Sequence, residues 1–306
     1  MKSYAAYYDN DEVRLNSSSG GIFSVIASKF DVVYGVSLTE DCYEAIFKRS
    51  VENVDSLRGS KYLQAKMGDT FKEVKKDLNE GKLVLFSGTG CQINGLKLFL
   101  GKDYDNLFCL DIICHGAPSP LLWKEYLKYQ EKQYGKISNV NFRSKEDSWQ
   151  DFGMKENQVY ISKDDDSFMR MFLRDYCLRP SCYNCKAKNY RLSDITIGDF
   201  WGIESVCSEM NDNKGTSFIV IRSSLGQQLF DSIKNELVYK EVSYEDGIKG
   251  NVAEYKSVNR PELRNSFFKD LHSCSFDDMK LKYAPDIKIP WYKLLKRKLR
   301  NKFKRG

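Results

Sequence analysis

The sequence predicts an α/β (α+β) chain: a mixed sheet containing a parallel strand-helix-strand unit, joined to a second, smaller α+β half. Three observations lead there. Residues 82–114 read as buried strand, helix and buried strand within one crossover length. Further segments on both sides have the length and apolar content of strands, and stretches with helical spacing lie between several of them. At 306 residues the chain can bury a substantial core, as one large domain or two smaller ones.

In chain order, "NSSSGGIFSVIASKF" (16–30) is a polar, glycine-rich approach to a helix. Ile22, Phe23, Ile26, Ala27 and Phe30 fall at helical spacing, with Ser19 or a neighbour as the cap. "DVVYGV" (31–36) and "YEAIFKRS" (43–50) read as strands. "TFKEVKKDLNEG" (70–81) reads as a helix with Phe71, Val74 and Leu78 on one face, ended by Gly81. "KLVLF" (82–86) is a buried strand, "SGTGCQ" (87–92) a tight loop, "INGLKLFL" (93–100) a helix and "NLFCLDIIC" (106–114) a second buried strand. The prolines of "HGAPSP" start another helix at about Leu121. A right-handed crossover puts the carboxyl ends of both buried strands at one sheet edge, so Cys91 and Cys114 should be spatial neighbours.

Beyond about residue 125 the pattern changes. "SNVNFRSK" (138–145), "DITIGDFWGI" (194–203) and "TSFIVIRS" (216–223) are strand-like, "LGQQLFDSIKNEL" (225–237) is helical, and residues 240–290 show no clear period. The expected organisation is an N-terminal half, 1–125; a C-terminal half, 126–270, carrying the CxxC and Gly-Asp-Phe-Trp-Gly segments; and an extension, 271–306, ending in a basic tail. No internal repeat or low-complexity linker separates them.

The net charge of +6 is not a property of the whole surface. Residues 291–306 hold eight Lys and Arg, and without them 40 basic residues face 42 acidic ones, which gives no argument for a nucleic-acid groove. The same tail has Trp291, Leu294, Leu295, Leu299 and Phe303 among its cations, enough to lie on an anionic membrane or dock on a partner, with a frayed terminus as the plain alternative. No apolar run suggests a membrane span, and the first residues have no signal-peptide core. A reducing cytoplasm is therefore expected, where nine cysteines imply metal binding, redox work or burial rather than disulfides.

Cys91, Cys114, Cys182 and Cys185 form a candidate metal set. Four thiolates suit an iron–sulfur cluster or a structural zinc, and single ligands at strand ends favour a cluster near a bound cofactor. A dithiol redox pair, or simple packing, competes with both. The N–H groups of Gly88, Thr89 and Gly90 precede a helix and could cradle a phosphate or cluster sulfurs, as could Ser17–Gly21; a bare turn would look the same. Arg58, Lys61, Arg143 and Lys145 are ligand contacts or ordinary surface charges. His115 adjoins Cys114 and could donate to a cluster sulfur or a flavin, or merely pack. Asp199 and Trp201 alternate along a strand and should share a face. Cys42, Cys109, Cys207 and Cys274 read as buried small hydrophobes.

Together "SSSGGIFS", "RGSKY", "FSGTGCQINGLK", "CHGAPS", "FRSK", "RPSCYNCKAKNYRLSDITIGDFWGI" and "NKGTSFIVI", in that order over roughly residues 16–222, give a resemblance. The chain resembles the beta-subunit family of hydrogenases and dehydrogenases that use the deazaflavin coenzyme F-420. Chlorophyll-pathway reductases and bacterial proteins from polysaccharide-biosynthesis loci are similar in the same segments. The resemblance implies an iron–sulfur flavoprotein oxidoreductase with FAD, or FMN in its place, and a [4Fe–4S] cluster near the flavin, the two halves of the fold sharing the cofactor site. By motif, Cys91, Cys114, Cys182 and Cys185 match the cluster ligands. Ser19, Gly20, Gly21, Gly59, Ser60, Lys61, Tyr62, Ser87, Thr89, Gly90 and Gln92 match flavin-side segments, with His115 beside them.

Two departures stand out. Gly90 replaces the proline usual in the family's loop, and no cysteine precedes Cys42, so the ferredoxin-like module of many bacterial relatives is expected to be missing. Electrons would then come from a separate donor protein, ferredoxin-like or a hydrogenase/dehydrogenase subunit. They would pass to a small acceptor, the deazaflavin coenzyme or a polysaccharide-biosynthesis intermediate. The competing function is a non-catalytic accessory subunit of a membrane-associated polysaccharide-biosynthesis complex, with a structural four-cysteine metal site. Either reading allows a homo-oligomer and a peripheral position at the inner face of the membrane.

Overall fold

The computed structural model describes residues 2–285. Its strands are β1 (Ser3–Tyr8), β2 (Val32–Leu38), β3 (Ala45–Ser50), β4 (Val84–Thr89), β5 (Leu107–Ile112), β6 (Val140–Ser144), β7 (Gly153–Glu156), β8 (Val159–Ser162), β9 (Ile195–Asp199), β10 (Ser217–Ile221) and β11 (Leu237–Val242). The helices are α1 (Asp11–Leu15), α2 (Ile22–Ala27), α3 (Thr70–Asn79), α4 (Gly90–Leu100), α5 (Pro120–Tyr134), α6 (Ser167–Leu173), α7 (Ile203–Val206), α8 (Ser224–Ile233), α9 (Tyr244–Lys249), α10 (Arg264–Ser273) and α11 (Phe276–Tyr283).

Eight strands form one mixed sheet in the order β11-β1-β10-β9-β5-β4-β2-β3. Its centre, β9-β5-β4-β2, is parallel, and antiparallel strands extend both sides. The central strands are apolar on both faces because helices cover both. Val84, Phe86 and Leu107 meet α3 and α4 through Val74, Leu78, Ile93 and Leu96. Leu85, Phe108 and Leu110 meet α2 and α8 through Ile22, Ile26, Phe230 and Ile233. A three-stranded antiparallel sheet, β6-β7-β8, packs with α5, α6, α10 and α11 around Trp123, Phe142, Phe168 and Phe267.

Several local expectations change. The tight loop expected at 87–92 does not exist. β4 runs through Thr89 and α4 begins at once, with the Gln92 side chain accepting from the Thr89 N–H at 2.9 Å, one half of a capping box. Helix α2 is preceded by Gly21 at φ 82°, a left-handed position that favours glycine, and Ser19 does not cap it; its hydroxyl donates to Thr216 O at 2.9 Å. Strand β9 ends at Asp199, so Trp201 lies in the following turn and stacks on Trp149 rather than alternating with Asp199. Cys274 is exposed, unlike Cys42, Cys109 and Cys207. Residues 240–290 conceal α9, α10 and α11, short helices that bury only one or two residues each, in α9 a glycine. β9 pairs directly with β5, so the large sheet runs across the boundary expected near residue 125, and residues between these strands form an excursion carrying the small sheet. Among the described residues no helix is long and apolar enough to cross a membrane. The amphipathic tail at 291–306 lies outside the described residues.

Candidate functional site

The carboxyl ends of β4, β5 and β9 emerge at one sheet edge, where open α/β sheets place their ligands. A cavity of about 250 Å³ opens there. Its walls are the loop carrying Ser17, Ser18, Ser19 and Gly21, the segment Arg58–Tyr62, the β4 end with Ser87, Gly88, Thr89 and Gln92, and Ile113, Gly198 and Asp199. Of the flavin-side residues expected from sequence, Ser19, Gly21, Gly59, Ser60, Lys61, Tyr62, Ser87, Thr89 and Gln92 line it.

Three others do not. A Cβ on Gly20 would stand 2.6 Å from Ala6 O and 2.9 Å from Ser217 N, so Gly20 is where the loop backbone presses against β1 and β10 behind the wall. Gly90 faces the Asp111 and Arg191 side chains. His115, outside the cavity lining, has its Nε2 2.6 Å from Asp175 Oδ1 and its ring in a T-shaped contact with Phe172.

Hydrogen bonds fasten the walls to one another. Ser60 N–H donates to Ser18 Oγ at 2.7 Å. The partly buried Lys145 ammonium donates to Arg14 O, Ser19 O and Lys214 O at 2.8, 2.9 and 2.6 Å, gathering the loop onto the segment before β10. Burial lowers Lys145 to about 7. Lys61 is lowered to about 7 as well, first by burial and then by the Arg58 charge. Asp199, on the wall, receives Trp149 Nε1–H at 3.2 Å and lies 3.1 Å from Arg143, whose guanidinium covers the Phe152 ring. Burial raises the Tyr62 hydroxyl, against the pull of Arg143.

The four cysteines come from three places. Cys91 sits in the first turn of α4, Cys114 just past β5, and Cys182 and Cys185 on the short turn at 180–185. Residues 117–119 and 177–179 are laced antiparallel by Arg179 N–H to Ala117 O and Ser119 N–H to Cys177 O, both 2.8 Å, which carries that turn to Cys114. Ala117 N–H points at Cys182 Sγ (3.4 Å), Cys185 N–H donates to Ser257 Oγ (3.0 Å), and Lys188 donates to Cys114 O (2.8 Å). Cys114 is pushed up to about 12 by burial, then by the charges of the Cys91 and Cys182 thiols, with a smaller part from Cys185. The four thiols are thus electrostatic neighbours. Among the described residues, no three His, Cys, Asp or Glu side chains close into a group that could hold a single metal ion. Cys177, a fifth cysteine beside the set in sequence, is fully buried in the core; its spacing carried no signal.

Behind Cys91 and Cys114 lies an ion network that sequence reasoning missed. Arg191 pairs with the fully buried Asp111 and, at 3.0 Å, with buried Glu254, which also pairs with Arg222. It fixes the segment between the cysteine turn and β9 to β5.

No curated protein matches the sequence. Among solved structures, a chain of the F420-reducing [NiFe] hydrogenase complex from Methanosarcina barkeri, solved with xenon derivatization, has the same fold. Its TM-score is 0.58 at 14% identity, covering 82% of this chain and 84% of that one. The family model for the C terminus of the beta subunit of coenzyme F420 hydrogenase/dehydrogenase matches residues 81–246, more than half of the chain. That stretch contains all four thiols and the β4–α4 wall of the cavity. This chain belongs to the coenzyme F420 hydrogenase/dehydrogenase beta-subunit family.

Proposed function

We propose that the chain is an iron–sulfur flavoprotein oxidoreductase that takes electrons from a separate donor protein and delivers them to a small acceptor. The observation that carries this reading is the junction of β4 and α4. Ser87, Gly88, Thr89 and Gln92 face the cavity, while Cys91, between Thr89 and Gln92, belongs to the thiol set. Thr89 Oγ1 is 3.2 Å from Cys91 Sγ, so one side chain separates the two compartments.

The donor chemistry fits a four-iron cluster. Thiolates are its usual ligands, and sulfurs around a cubane stand farther apart than those around one ion. The Ala117 N–H at Cys182 and the Lys188 ammonium beside Cys114 favour negative charge on the sulfurs. A structural zinc in a non-catalytic subunit would account for the thiols but would leave the cavity without an occupant.

The cavity lies a little below the ~300–1,000 Å³ of typical ligand pockets, which suits a flavin ring with the rest of the molecule outside. FAD and FMN share that ring. Arg58 and Lys61 favour an anionic ligand, and Arg143 with Trp149 hold Asp199 in place at the wall. When bound, the cluster supplies one-electron capacity and the flavin two-electron hydride chemistry; the chain supplies position and potential. The acceptor is the deazaflavin coenzyme or, in a polysaccharide context, a sugar- or lipid-linked intermediate.

Anaerobic purification and a visible spectrum test this. Flavin bands over a broad iron–sulfur absorption are expected, with Cys182→Ser losing the broad component and keeping the flavin. A colourless protein overturns the proposal.

A further inference from the structure

The thiol set is open to solvent: Cys91 is exposed, and Cys182 and Cys185 are only partly covered. Two segments frame this opening, joined by Cys185 N–H to Ser257 and Lys188 to Ala253 O. The first, "RPSCYNCKAKNYR" (179–191), has four basic residues and no acid. Lys188 and Arg191 turn inward, onto backbone carbonyls and onto Asp111 and Glu254. Arg179 and Lys186 are exposed, as are Lys256 and Arg260 on the second segment, and none of the four has an ion pair among the described residues.

The acids nearby are withdrawn. Asp111 and Glu254 are buried on Arg191 and Asp175 is held by His115, while Glu262 stands exposed beyond Arg260 and Glu245 on α9. Among the exposed cations, Tyr190 (65% exposed), Val252 (48%) and Tyr255 (47%) present apolar surface. Aromatic and apolar contacts within a charged rim are the anatomy of a protein interface. Since the rest of the chain apart from its tail is nearly neutral, this excess of positive charge is local.

We propose that this face docks a small acidic electron-carrier protein of the ferredoxin type, seated on Tyr190, Val252 and Tyr255 and steered by Arg179, Lys186, Lys256 and Arg260. The inference rests on the redox reading above. Positive charge selects an acidic partner, and the thiols opening at the same face select a redox partner over nucleic acid or lipid. One electron would leave the reduced carrier, which is oxidised, and reduce the iron–sulfur centre that Cys91, Cys114, Cys182 and Cys185 would hold; no bond forms and no proton moves at the contact.

The test is calorimetric titration of a small acidic [2Fe–2S] ferredoxin, in its oxidised form, onto the anaerobically purified full chain. Saturable binding is expected, weakening about tenfold from low to physiological salt. The triple variant Arg179→Glu, Lys186→Glu, Lys256→Glu should weaken it at least about tenfold, while Lys132→Glu, about 18 Å along α5 from Pro120, leaves it unchanged. Should the triple variant not fold, Lys186→Gln and Tyr190→Ser, both exposed, should each weaken binding about threefold. Absence of binding, insensitivity to these changes, or equal binding of phosphatidylglycerol vesicles to the same residues overturns the proposal. The visible spectrum of the same sample separates the two readings. Charge-dependent docking without chromophores defeats the redox assignment and leaves the surface standing, and chromophores without charge-dependent docking do the reverse.

Discussion

Replacing Arg191 with methionine removes the clamp between the cysteine turn and the sheet. The side chain is 6% exposed and donates to Asp111, to Glu254 Oε2 at 3.0 Å and to Glu254 O at 2.7 Å. Glu254 would keep Arg222. Asp111 would keep nothing: Arg191 is the hydrogen-bond partner of its Oδ2, and its Oδ1 has no partner among the described residues. A fully buried carboxylate stripped of its cation costs about 3–5 kcal/mol, so Arg191→Met should lower unfolding stability by that amount. Urea denaturation followed by tryptophan fluorescence and far-UV circular dichroism reads it as a lower midpoint at unchanged slope. Adding Asp111→Leu removes the stranded charge and should recover most of the loss, because an apolar replacement of a buried pair is often near neutral. A loss under about 1 kcal/mol, or no recovery in the double variant, refutes the reasoning.

Three further outcomes are expected. Gly20→Ala, whose methyl would meet Ala6 O at 2.6 Å, should displace the serine loop, weaken flavin binding at least about tenfold and cost about 1–3 kcal/mol; fluorescence titration with FAD and FMN checks the first and a melting curve the second. Lys145→Met strands the Ser19 and Lys214 carbonyls, while Arg14 O keeps Ser17 N–H at 3.2 Å, and should destabilise the chain by about 2 kcal/mol, read by urea denaturation; a loss below about 0.5 kcal/mol contradicts the role assigned to its bonds. Lys61, at about 7 in the cavity wall, is charged below that pH and neutral above it, so affinity for an anionic flavin should fall as pH rises through 7. Lys61→Met should match the weak high-pH affinity at every pH, and an unchanged pH profile in that variant would remove Lys61 from the binding account.

The parts of the site that follow from local pattern were legible in the sequence. Two continuous apolar runs joined by a glycine-containing turn and a helix could only be adjacent parallel strands, which brought Cys91 to Cys114 over 23 positions. The start of α4 was misplaced because glycines at 88 and 90 look like loop, whereas neither needs a left-handed backbone and the Gln92 side chain starts the helix directly. Convergence of Cys182 and Cys185 had no local signature. It depends on the pairing of 117–119 with 177–179 and on Arg191 reaching Asp111, contacts between segments 60 to 80 residues apart. Lys145 was indistinguishable from a surface lysine until the fold placed three carbonyls around it. Residues 240–290 hid three helices because each buries too few side chains to leave a periodic stripe.

Chemical analysis of the anaerobically purified chain for iron, labile sulfide, zinc and flavin bears most directly on whether thiols from three segments serve a redox centre beside a flavin. The account predicts iron and sulfide in the proportion of a four-iron cluster, with flavin equimolar to the chain. Zinc held by the cysteines, with neither sulfide nor flavin, would contradict it.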